Sequence, residues 1–234
     1  MKIYAHRGAS HDFPEMTMVA YENAVKQGAD GFECDLRLTK DGVAVLWHDA
    51  DLKRRANNDA VVHESTYAEL AAIYPQIVTL DEFLDYGISE KKSLLLETKH
   101  PVPSRTAIED YVVKKLHAEA KRIEKSGIDI TVMSFSWFAV ERVKLLDRSI
   151  ALTYLIRETT PKFSIKYSSA HSIGPGIAQL RKKPALAQKV KSAGRKLNVW
   201  TVDEAEDIIL CRQLGVDNLI TNRPGFAREV LTAN

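Results

Sequence analysis

The sequence has little cysteine, little net charge and no long apolar run. Its two cysteines, Cys34 and Cys211, lie outside any CxxC pair, so neither a disulfide framework nor a zinc site is indicated. With 33 basic and 31 acidic residues, the formal charge of +2 offers no general electrostatic case for a nucleic-acid partner. No apolar run approaches the roughly 18 residues of a membrane-spanning helix.

The chain also lacks the features of a targeting segment or a linker. Its first residues, MKIYAHRGASHDFPE, contain no apolar core and already carry charged side chains, so they do not read as a secretory signal peptide. We therefore expect a cytoplasmic protein. Because 234 residues that are 45% hydrophobic can form one large core, we expect a single domain over 1–234 with a short insertion at about 50–79.

Short β-rich segments alternate with helical patterns, which predicts a parallel sheet with crossover helices. At this length a closed (β/α)₈ barrel of the α/β class fits best. The predicted strands are Ile3–His6, Gly31–Leu36, Leu94–Glu97, Thr131–Phe135, Ala151–Leu155, His171–Ile173, Asn198–Thr201 and Asn218–Thr221. The predicted helices are Thr17–Gln27, Thr106–Lys125, Trp137–Leu146, Pro184–Lys196 and Glu204–Leu214.

The apolar run Val43–His48 is extra to this strand count. It follows the tight-turn signal KDG, so it can fold back on Leu36–Thr39 as an antiparallel hairpin. Symmetric pairing about the turn would return His48 to the level of Glu33 and Asp35. The second barrel strand and its hairpin would then contribute to one site.

Carboxylates accumulate at the ends of two predicted strands. Glu33 and Asp35 are two positions apart and share a face, and Glu97 ends the next parallel strand. Three inward carboxylates would repel one another unless a cation lay between them. All-oxygen ligation suits Mg²⁺ or Ca²⁺, with Mn²⁺ as a further candidate. The alternative is that some of these acids form surface salt bridges.

Cationic and titratable side chains surround the same predicted site. His6 ends the first strand beside these acids, and two histidines next to a metal are suited to general acid–base work near neutral pH. Arg7 and Lys99 add fixed positive charge. Together with a cation they favour a small anionic substrate, most commonly a phosphate.

The sequence resembles the glycerophosphodiester phosphodiesterases, in particular the intracellular bacterial members with a small insertion. In family order, the matching segments are AHRGAS at 5–10, PEMT at 14–17, FECDLRLTKDGVAVLWHD at 32–49, LETK at 96–99, SF at 134–135, WTVD at 200–203 and TNRP at 221–224. The long middle segment is highly specific, whereas HRGA alone is not. The family fold is a (β/α)₈ barrel, as the strand pattern independently predicts.

The resemblance implies a role for each matched site position. The implied metal ligands are Glu33, Asp35 and Glu97, and the implied catalytic acid–base pair is His6 and His48. The implied substrate-binding residues are Arg7 and Lys99 at the phosphate, Glu15 at the family's acidic position, Trp200 in the pocket and Phe135 at its edge.

Two positions depart from the family pattern. Met16 stands where the family usually has Asn, and a thioether cannot replace the hydrogen bonds of an amide. The lost Asn either contacts the ligands or only shapes the loop. Asn222 stands where many members carry Asp, and we expect little consequence because it lies outside the metal and histidine set.

These patterns predict metal-dependent hydrolysis of glycerophosphodiesters to glycerol 3-phosphate and an alcohol. His48 is the favoured acid and His6 the favoured base, although sequence alone leaves the direction open. One alternative is a lysophospholipase D-type enzyme with an apolar entry built from Tyr67, Ile73 and Tyr74. Another is a barrel that binds a phosphodiester without turnover. A basic stretch at 179–196 is read as a solvated helix face, or as a weak contact with anionic membrane surfaces.

Overall fold

Eight parallel strands close into a barrel in the computed structural model, which describes residues 1–233. The closure is made by the first strand, which pairs in parallel with both the second and the last. The barrel strands are β1 (Lys2–His6), β2 (Gly31–Leu38), β4 (Ser93–Thr98), β5 (Ile130–Ser134), β6 (Ala151–Ile156), β7 (Ser172–Pro175), β8 (Lys196–Val199) and β9 (Asn218–Thr221). The predicted (β/α)₈ barrel is confirmed.

The predicted hairpin stands on the end of β2. Strand β3 (Ala44–Leu46) pairs antiparallel with β2, and Leu36 lies opposite Leu46. Gly42 adopts a φ of 80°, the left-handed conformation that the tight turn requires and that glycine takes at no steric cost. Because the backbone N–H of Trp47 donates to the Asp35 carbonyl at 2.9 Å, the pairing continues beyond β3 toward His48.

Helices cover the outside of the barrel. They are α1 (Met18–Lys26), α2 (Lys53–Ala56), α3 (Tyr67–Ile73), α4 (Leu80–Ser89), α5 (Ala107–Ala118), α6 (Ala120–Ser126), α7 (Trp137–Leu146), α8 (Lys162–Tyr167), α9 (Ile177–Lys182), α10 (Ala185–Ser192), α11 (Ala205–Gln213) and α12 (Pro224–Ala233). The helix predicted over Thr106–Lys125 is divided into α5 and α6 at Glu119, where ψ is 2°. Within residues 1–233, no helix combines the length and apolar character needed to cross a bilayer.

Several helices lay outside the sequence prediction, although two of them carry a readable start signal. Helix α3 begins with a capping box between Thr66 and Glu69, and α4 begins with one between Thr79 and Glu82. In each box the threonine hydroxyl accepts from the backbone of the third helical residue, whose carboxylate accepts from the threonine N–H. The spacing T-x-x-E could therefore have located both helices.

The barrel interior changes from apolar to polar toward the C-terminal ends of the strands. A buried cluster fills the interior with Tyr4, Leu95, Met133, Leu155 and Ile220. Since side chains two positions apart share a face, the next inward position on each strand lies nearer the barrel mouth. Those next positions are His6, Glu97, Phe135, Arg157 and Asn222. The apolar cluster therefore closes the bottom of the barrel, and the candidate functional side chains lie between it and the barrel mouth.

Candidate active site

A cavity of about 220 Å³ opens at the C-terminal end of the barrel, where barrel enzymes carry their active sites. Its lining includes Arg157 and eight of the ten predicted site residues, which are His6, Arg7, Glu33, His48, Glu97, Lys99, Phe135 and Trp200.

 Asp35 and Glu15 are the two predicted site residues that do not line this cavity. A larger open depression of about 1250 Å³ lies at the opposite end of the barrel, and no predicted site residue lines it.

The three predicted carboxylate ligands come together in this region. Strands β2 and β4 are neighbours with Asp35 opposite Glu97, and Glu33 lies on the same face of β2. One oxygen from each of the three carboxylates lies within 4.8 Å of the others, and all three residues are buried. The strand register therefore concentrates negative charge at one point beneath the barrel mouth.

Two positively charged side chains and shifted pKa values reduce the repulsion within the cluster. Arg7 Nε lies 2.8 Å from Asp35 Oδ2, and Lys99 Nζ lies 3.1 Å from Asp35 Oδ1. Although burial opposes its ionisation, Lys99 and Arg7 lower the pKa of Asp35 to about 2. Burial and the nearby Asp35 raise the pKa of Glu97 to about 7, and the same two causes raise the pKa of Glu33 well above its ordinary value.

The donor set fits a hard divalent cation. Within the described chain, neither oxygen of the fully buried Asp35 makes a hydrogen bond of acceptable geometry, even though both lie close to cationic nitrogens. A buried carboxylate without hydrogen bonds has lone pairs free for another partner. Three carboxylates and no thiolate form a set that suits Mg²⁺ or Ca²⁺.

His6 is oriented by an amide. Its Nδ1 lies 2.7 Å from Oδ1 of Asn222, whose amide Nδ2 donates to Asp203 Oδ2 at 2.6 Å. Because an ionised carboxylate only accepts, the Asn222 amide must present its oxygen to the imidazole. We therefore assign the ring hydrogen to Nδ1, which leaves the lone pair of Nε2 for the cavity. Burial and the charge of Arg7 lower the pKa of His6 to about 4.

His48 is oriented by a carboxylate instead. Its Nδ1 lies 2.7 Å from Asp49 Oδ1, and Arg54 donates to the other Asp49 oxygen at 2.6 Å. The Arg37 guanidinium holds the His48 carbonyl with bonds of 3.0 and 2.8 Å. Burial lowers the pKa of His48, while Asp35 and Asp49 oppose that shift. The two imidazoles thus have partners of different charge.

Glu15 stands behind Arg7 rather than in the cavity. Its carboxylate accepts from Arg7 Nη1 at 3.4 Å and from Arg54 Nη2 at 2.6 Å. Arg54 also contacts Asp49, so it links the partner of Arg7 to the partner of His48. The structure therefore places Glu15 where it can position Arg7, and its predicted contact with substrate stays a prediction.

Aromatic side chains form the other side of the cavity. The rings of Phe135 and Trp200 meet edge to face, with centroids 5.2 Å apart. Trp200 is fixed by its indole N–H, which donates to the Gly174 carbonyl at 2.8 Å. The guanidinium of Arg157 lies 3.9 Å from the centroid of the Phe135 ring.

Met16 lies in the core and outside the cavity lining. It adopts a φ of 55° and its backbone N–H donates to the Arg7 carbonyl at 2.8 Å. The position therefore shapes the loop that carries Arg7. Asparagine takes this left-handed conformation more readily than methionine does, which is a physical reason for Asn at such a position.

The apolar entry considered for a lysophospholipid is absent from the cavity lining. Tyr67, Ile73 and Tyr74 pack against a separate buried cluster beneath the insertion, and the Tyr74 ring contacts that of Trp47. These side chains stabilise the insertion and hairpin. No contact among the described residues favours an acyl-chain channel built from them.

The sequence interpretation overlooked Asp203 and Arg157 and gave Asn222 little weight. The expectation that Asn222 matters little is corrected, because its side chain binds His6 directly. The alternation rule could have found two of these residues, since Arg157 and Asn222 follow the interior residues Leu155 and Ile220 by two positions. Asp203 lies in a loop, where no periodicity applies.

The family model described as "Glycerophosphoryl diester phosphodiesterase family" matches residues 6–226. A Mycobacterium tuberculosis protein named "Probable glycerophosphodiester phosphodiesterase 1" is 32% identical over 98% of this chain and 92% of its own length. A Caldanaerobacter subterraneus protein named "Glycerophosphodiester phosphodiesterase" is 30% identical over 95% of this chain and 94% of its own length.

Solved structures share the fold. A glycerophosphodiester phosphodiesterase from Thermotoga maritima superposes with a TM-score of 0.81 at 23% identity, over 98% of each chain. A phosphodiesterase from Oleispira antarctica, solved in complex with the product sn-glycerol-3-phosphate, superposes with a TM-score of 0.82 at 21% identity, over 99% of this chain and 97% of the other. At these identities the likeness concerns the fold.

Proposed function

The chain belongs to the glycerophosphoryl diester phosphodiesterase family, and we propose that it hydrolyses glycerophosphodiesters to glycerol 3-phosphate and an alcohol with the help of a divalent cation. The observation that carries this proposal is the buried cluster of Glu33, Asp35 and Glu97. It lies in one region with two imidazoles that line the same cavity, His6 and His48. A phosphodiester needs this combination, because its negative charge must be neutralised while protons move on both sides of phosphorus.

Glu33, Asp35 and Glu97 would hold the cation. When bound, a divalent cation supplies charge neutralisation to the phosphoryl oxygens and stabilises the charge that develops there in the transition state. The protein contributes a site whose buried carboxylates are already close together, so little reorganisation is needed on binding.

The partners of the two imidazoles support a division of roles. His6, with its hydrogen directed to Asn222, offers an unprotonated Nε2 and acts as the base toward the attacking oxygen. His48 has the Asp49 carboxylate at its Nδ1, which stabilises an imidazolium, and acts as the acid that protonates the departing alkoxide. The directions favoured by the sequence thus gain a physical reason.

Arg7 and Lys99 hold the phosphate in this proposal. Both line the cavity, and both form an ion pair with Asp35 that anchors the side chain. Anchoring limits the motion of two long side chains, so less conformational entropy is lost when substrate binds. Trp200 and Phe135 provide the apolar wall against which the carbon atoms of the substrate lie.

The attacking oxygen is either water or a hydroxyl of the substrate's own glycerol. The second route forms a cyclic phosphate before hydrolysis, and it leaves a transient product that ³¹P NMR resolves from glycerol 3-phosphate. Both routes need the same base near the attacking oxygen and the same acid near the leaving group.

The test is a turnover assay on a panel of glycerophosphodiesters, with Mg²⁺, Ca²⁺ or Mn²⁺ and with a chelator in parallel. We expect release of glycerol 3-phosphate that the chelator abolishes and that added cation restores. Turnover unaffected by the chelator would remove the cation from the proposal. Binding of diesters without product under every cation would instead support the non-catalytic barrel.

Two further expectations remain predictions. We propose that the chain works as one domain with a short insertion at about 50–79, and that it acts in the cytoplasm. Limited proteolysis that yields no stable fragment smaller than the barrel would support the first, and cell fractionation tests the second.

A further inference from the structure

The candidate active-site cavity has two chemically different sides. The side formed by the ends of β1, β2 and β4 carries the acids, the histidines, Arg7 and Lys99. The side formed by the ends of β5, β6 and β8 is apolar and aromatic, with one charged exception, which is Arg157. The proposed chemistry uses the first side completely and assigns nothing to this guanidinium.

Arg157 has no charged partner of its own. Among residues 1–233 its guanidinium forms no ion pair and no side-chain hydrogen bond, and its contact is with the face of Phe135. The neighbouring acid Glu158 is paired with Lys182 at 2.9 Å, and Asp203 is engaged by Asn222. The positive charge of Arg157 is therefore available to a ligand.

The distance across the cavity suits the reach of a small diester. Strands β4, β5 and β6 are consecutive neighbours, so the ends of β4 and β6 lie about 10 Å apart. Lys99 follows the first of these ends and Arg157 follows the second. If the phosphate of a diester binds near Lys99, the alcohol group on the other side of the phosphorus lies within reach of the flexible Arg157 side chain.

The same geometry disfavours a quaternary ammonium. Trimethylammonium groups bind to open aromatic faces, as in aromatic cages. Here the face of Phe135 is already covered by a guanidinium 3.9 Å from its centroid, and a second cation there would meet like charge. A carboxylate, in contrast, can accept two parallel hydrogen bonds from the planar guanidinium.

We propose that Arg157 forms an anion subsite at the mouth of the cavity and selects diesters whose alcohol carries a carboxylate over those whose alcohol carries a quaternary ammonium. This inference rests on the proposed diester hydrolysis and adds the substrate class to it. Arg157 determines specificity and takes no part in proton transfer.

The experiment compares kcat/KM for glycerophosphoserine and glycerophosphocholine in the full-length protein with its cation. The variants are Arg157→Gln, which removes the charge, and Arg157→Glu, which reverses it. Because a hydrogen bond to a charged group is worth roughly 10- to 100-fold in binding, Arg157→Gln should lower the serine-to-choline ratio by about tenfold. Arg157→Glu should lower it further.

Arg148→Gln is the matched control, since Arg148 is exposed and does not line the cavity. It removes the same net charge and should leave the ratio unchanged. A similar fall in the serine-to-choline ratio in Arg148→Gln would overturn the subsite, because the effect would then come from the net charge of the whole protein.

The outcomes separate the two proposals. Hydrolysis of both diesters with a ratio that no Arg157 variant alters would overturn the anion subsite and leave the proposed function standing. Absence of hydrolysis for every diester and cation would overturn both. Each variant should unfold at the wild-type temperature, because the substituted positions are exposed, and a changed ratio then reports on the cavity.

Discussion

The imidazole Nδ1 of His6 lies 2.7 Å from the side-chain oxygen of Asn222, a residue 216 positions away in the chain. Ser10 donates to the same oxygen at 2.8 Å, so the amide is held from several directions. Burial and the charge of Arg7 keep His6 unprotonated, and its neutral amide partner opposes them less than a carboxylate would, whereas the Asp49 carboxylate beside His48 favours a protonated ring. The difference between these two partners is the structural basis for assigning a base and an acid.

Replacement of either histidine should reduce turnover with little loss of fold. A positioned acid or base contributes about 10²- to 10⁴-fold, so His6→Ala and His48→Ala should each lower kcat by that order. His117→Ala is the control, because His117 is an exposed helical residue paired with Asp147. Near wild-type turnover in both active-site variants would remove the pair from the mechanism.

Exchange of the amide for a carboxylate should move the acidic side of the pH profile. The base must be neutral, and the pKa of His6 is lowered to about 4, so at a saturating concentration of cation activity should persist well below pH 6. In the double variant Asp203→Asn with Asn222→Asp, the carboxylate faces His6 and stabilises its protonated form. The pKa then rises, and the acidic limb of kcat/KM should move to higher pH by about one unit.

The double variant keeps one carboxylate and one amide in the pair, so the net charge is unchanged. Asn23→Asp provides a control in helix α1, where the Asn23 side chain donates to the Val19 carbonyl at 2.8 Å, far from His6 in the sequence. An acidic limb that stays in place in the double variant would show that His6 is not the group whose protonation limits the rate.

Cation binding should strengthen as the pH rises. Burial and Asp35 raise the pKa of Glu97 to about 7, so Glu97 holds a proton below that pH and loses it above. In the absence of a cation, the raised pKa of Glu97 stabilises the folded state at low pH. This contribution is lost as the pH rises from 4.5, the ordinary pKa of a glutamate, to about 7. The increase in Tm caused by Mg²⁺ or Ca²⁺ should therefore be larger at pH 8 than at pH 5.5.

The matched variants for that measurement are Glu33→Gln and Glu124→Gln. Glu33 belongs to the buried carboxylate cluster, and Glu124 is exposed on helix α6. Only the first should reduce the cation-dependent increase in Tm. An undiminished increase in Glu33→Gln would exclude Glu33 as a ligand, and this readout does not depend on activity.

A methyl group at Gly8 should destabilise the fold more than one at Gly127. Both glycines have positive φ, 84° and 72°, and the left-handed conformation costs an alanine about 1–2 kcal/mol. A Cβ at Gly8 would also lie 2.6 Å from the Ala20 Cβ and 2.7 Å from its backbone carbon, whereas Gly127 has nothing within 4 Å. Gly8→Ala should therefore cost about 2–5 kcal/mol in the free energy of unfolding, measured by urea denaturation.

Equal losses in the two glycine variants would mean that the packing of Gly8 against helix α1 relaxes without penalty. The position matters for the site because Gly8 follows Arg7, and a displaced loop would move the guanidinium away from Asp35. Reduced affinity for substrate in Gly8→Ala, together with lower stability, is the expected combination.

The barrel, the hairpin and the carboxylate cluster follow from patterns that can be read in the sequence. Periodicity of two places Glu33 and Asp35 on one face, and the alternation of strands and helices makes Glu97 their neighbour on the adjacent strand. Symmetry about the KDG turn carries His48 back toward these acids. These relations are local or depend on sequential strand order, so a one-dimensional pattern contains them.

The partners of these groups depend on the three-dimensional fold. Asn222 meets His6 because β9 closes the barrel beside β1, and Glu15 turns to Arg7 and Arg54 instead of the cavity. Contacts of this kind join side chains that are far apart in the chain, and they depend on closure of the sheet and on which rotamer each side chain adopts. Alternation along β9 can point to Asn222 as an inward residue, but no periodicity says which side chain it meets, so these pairings became visible only in three dimensions.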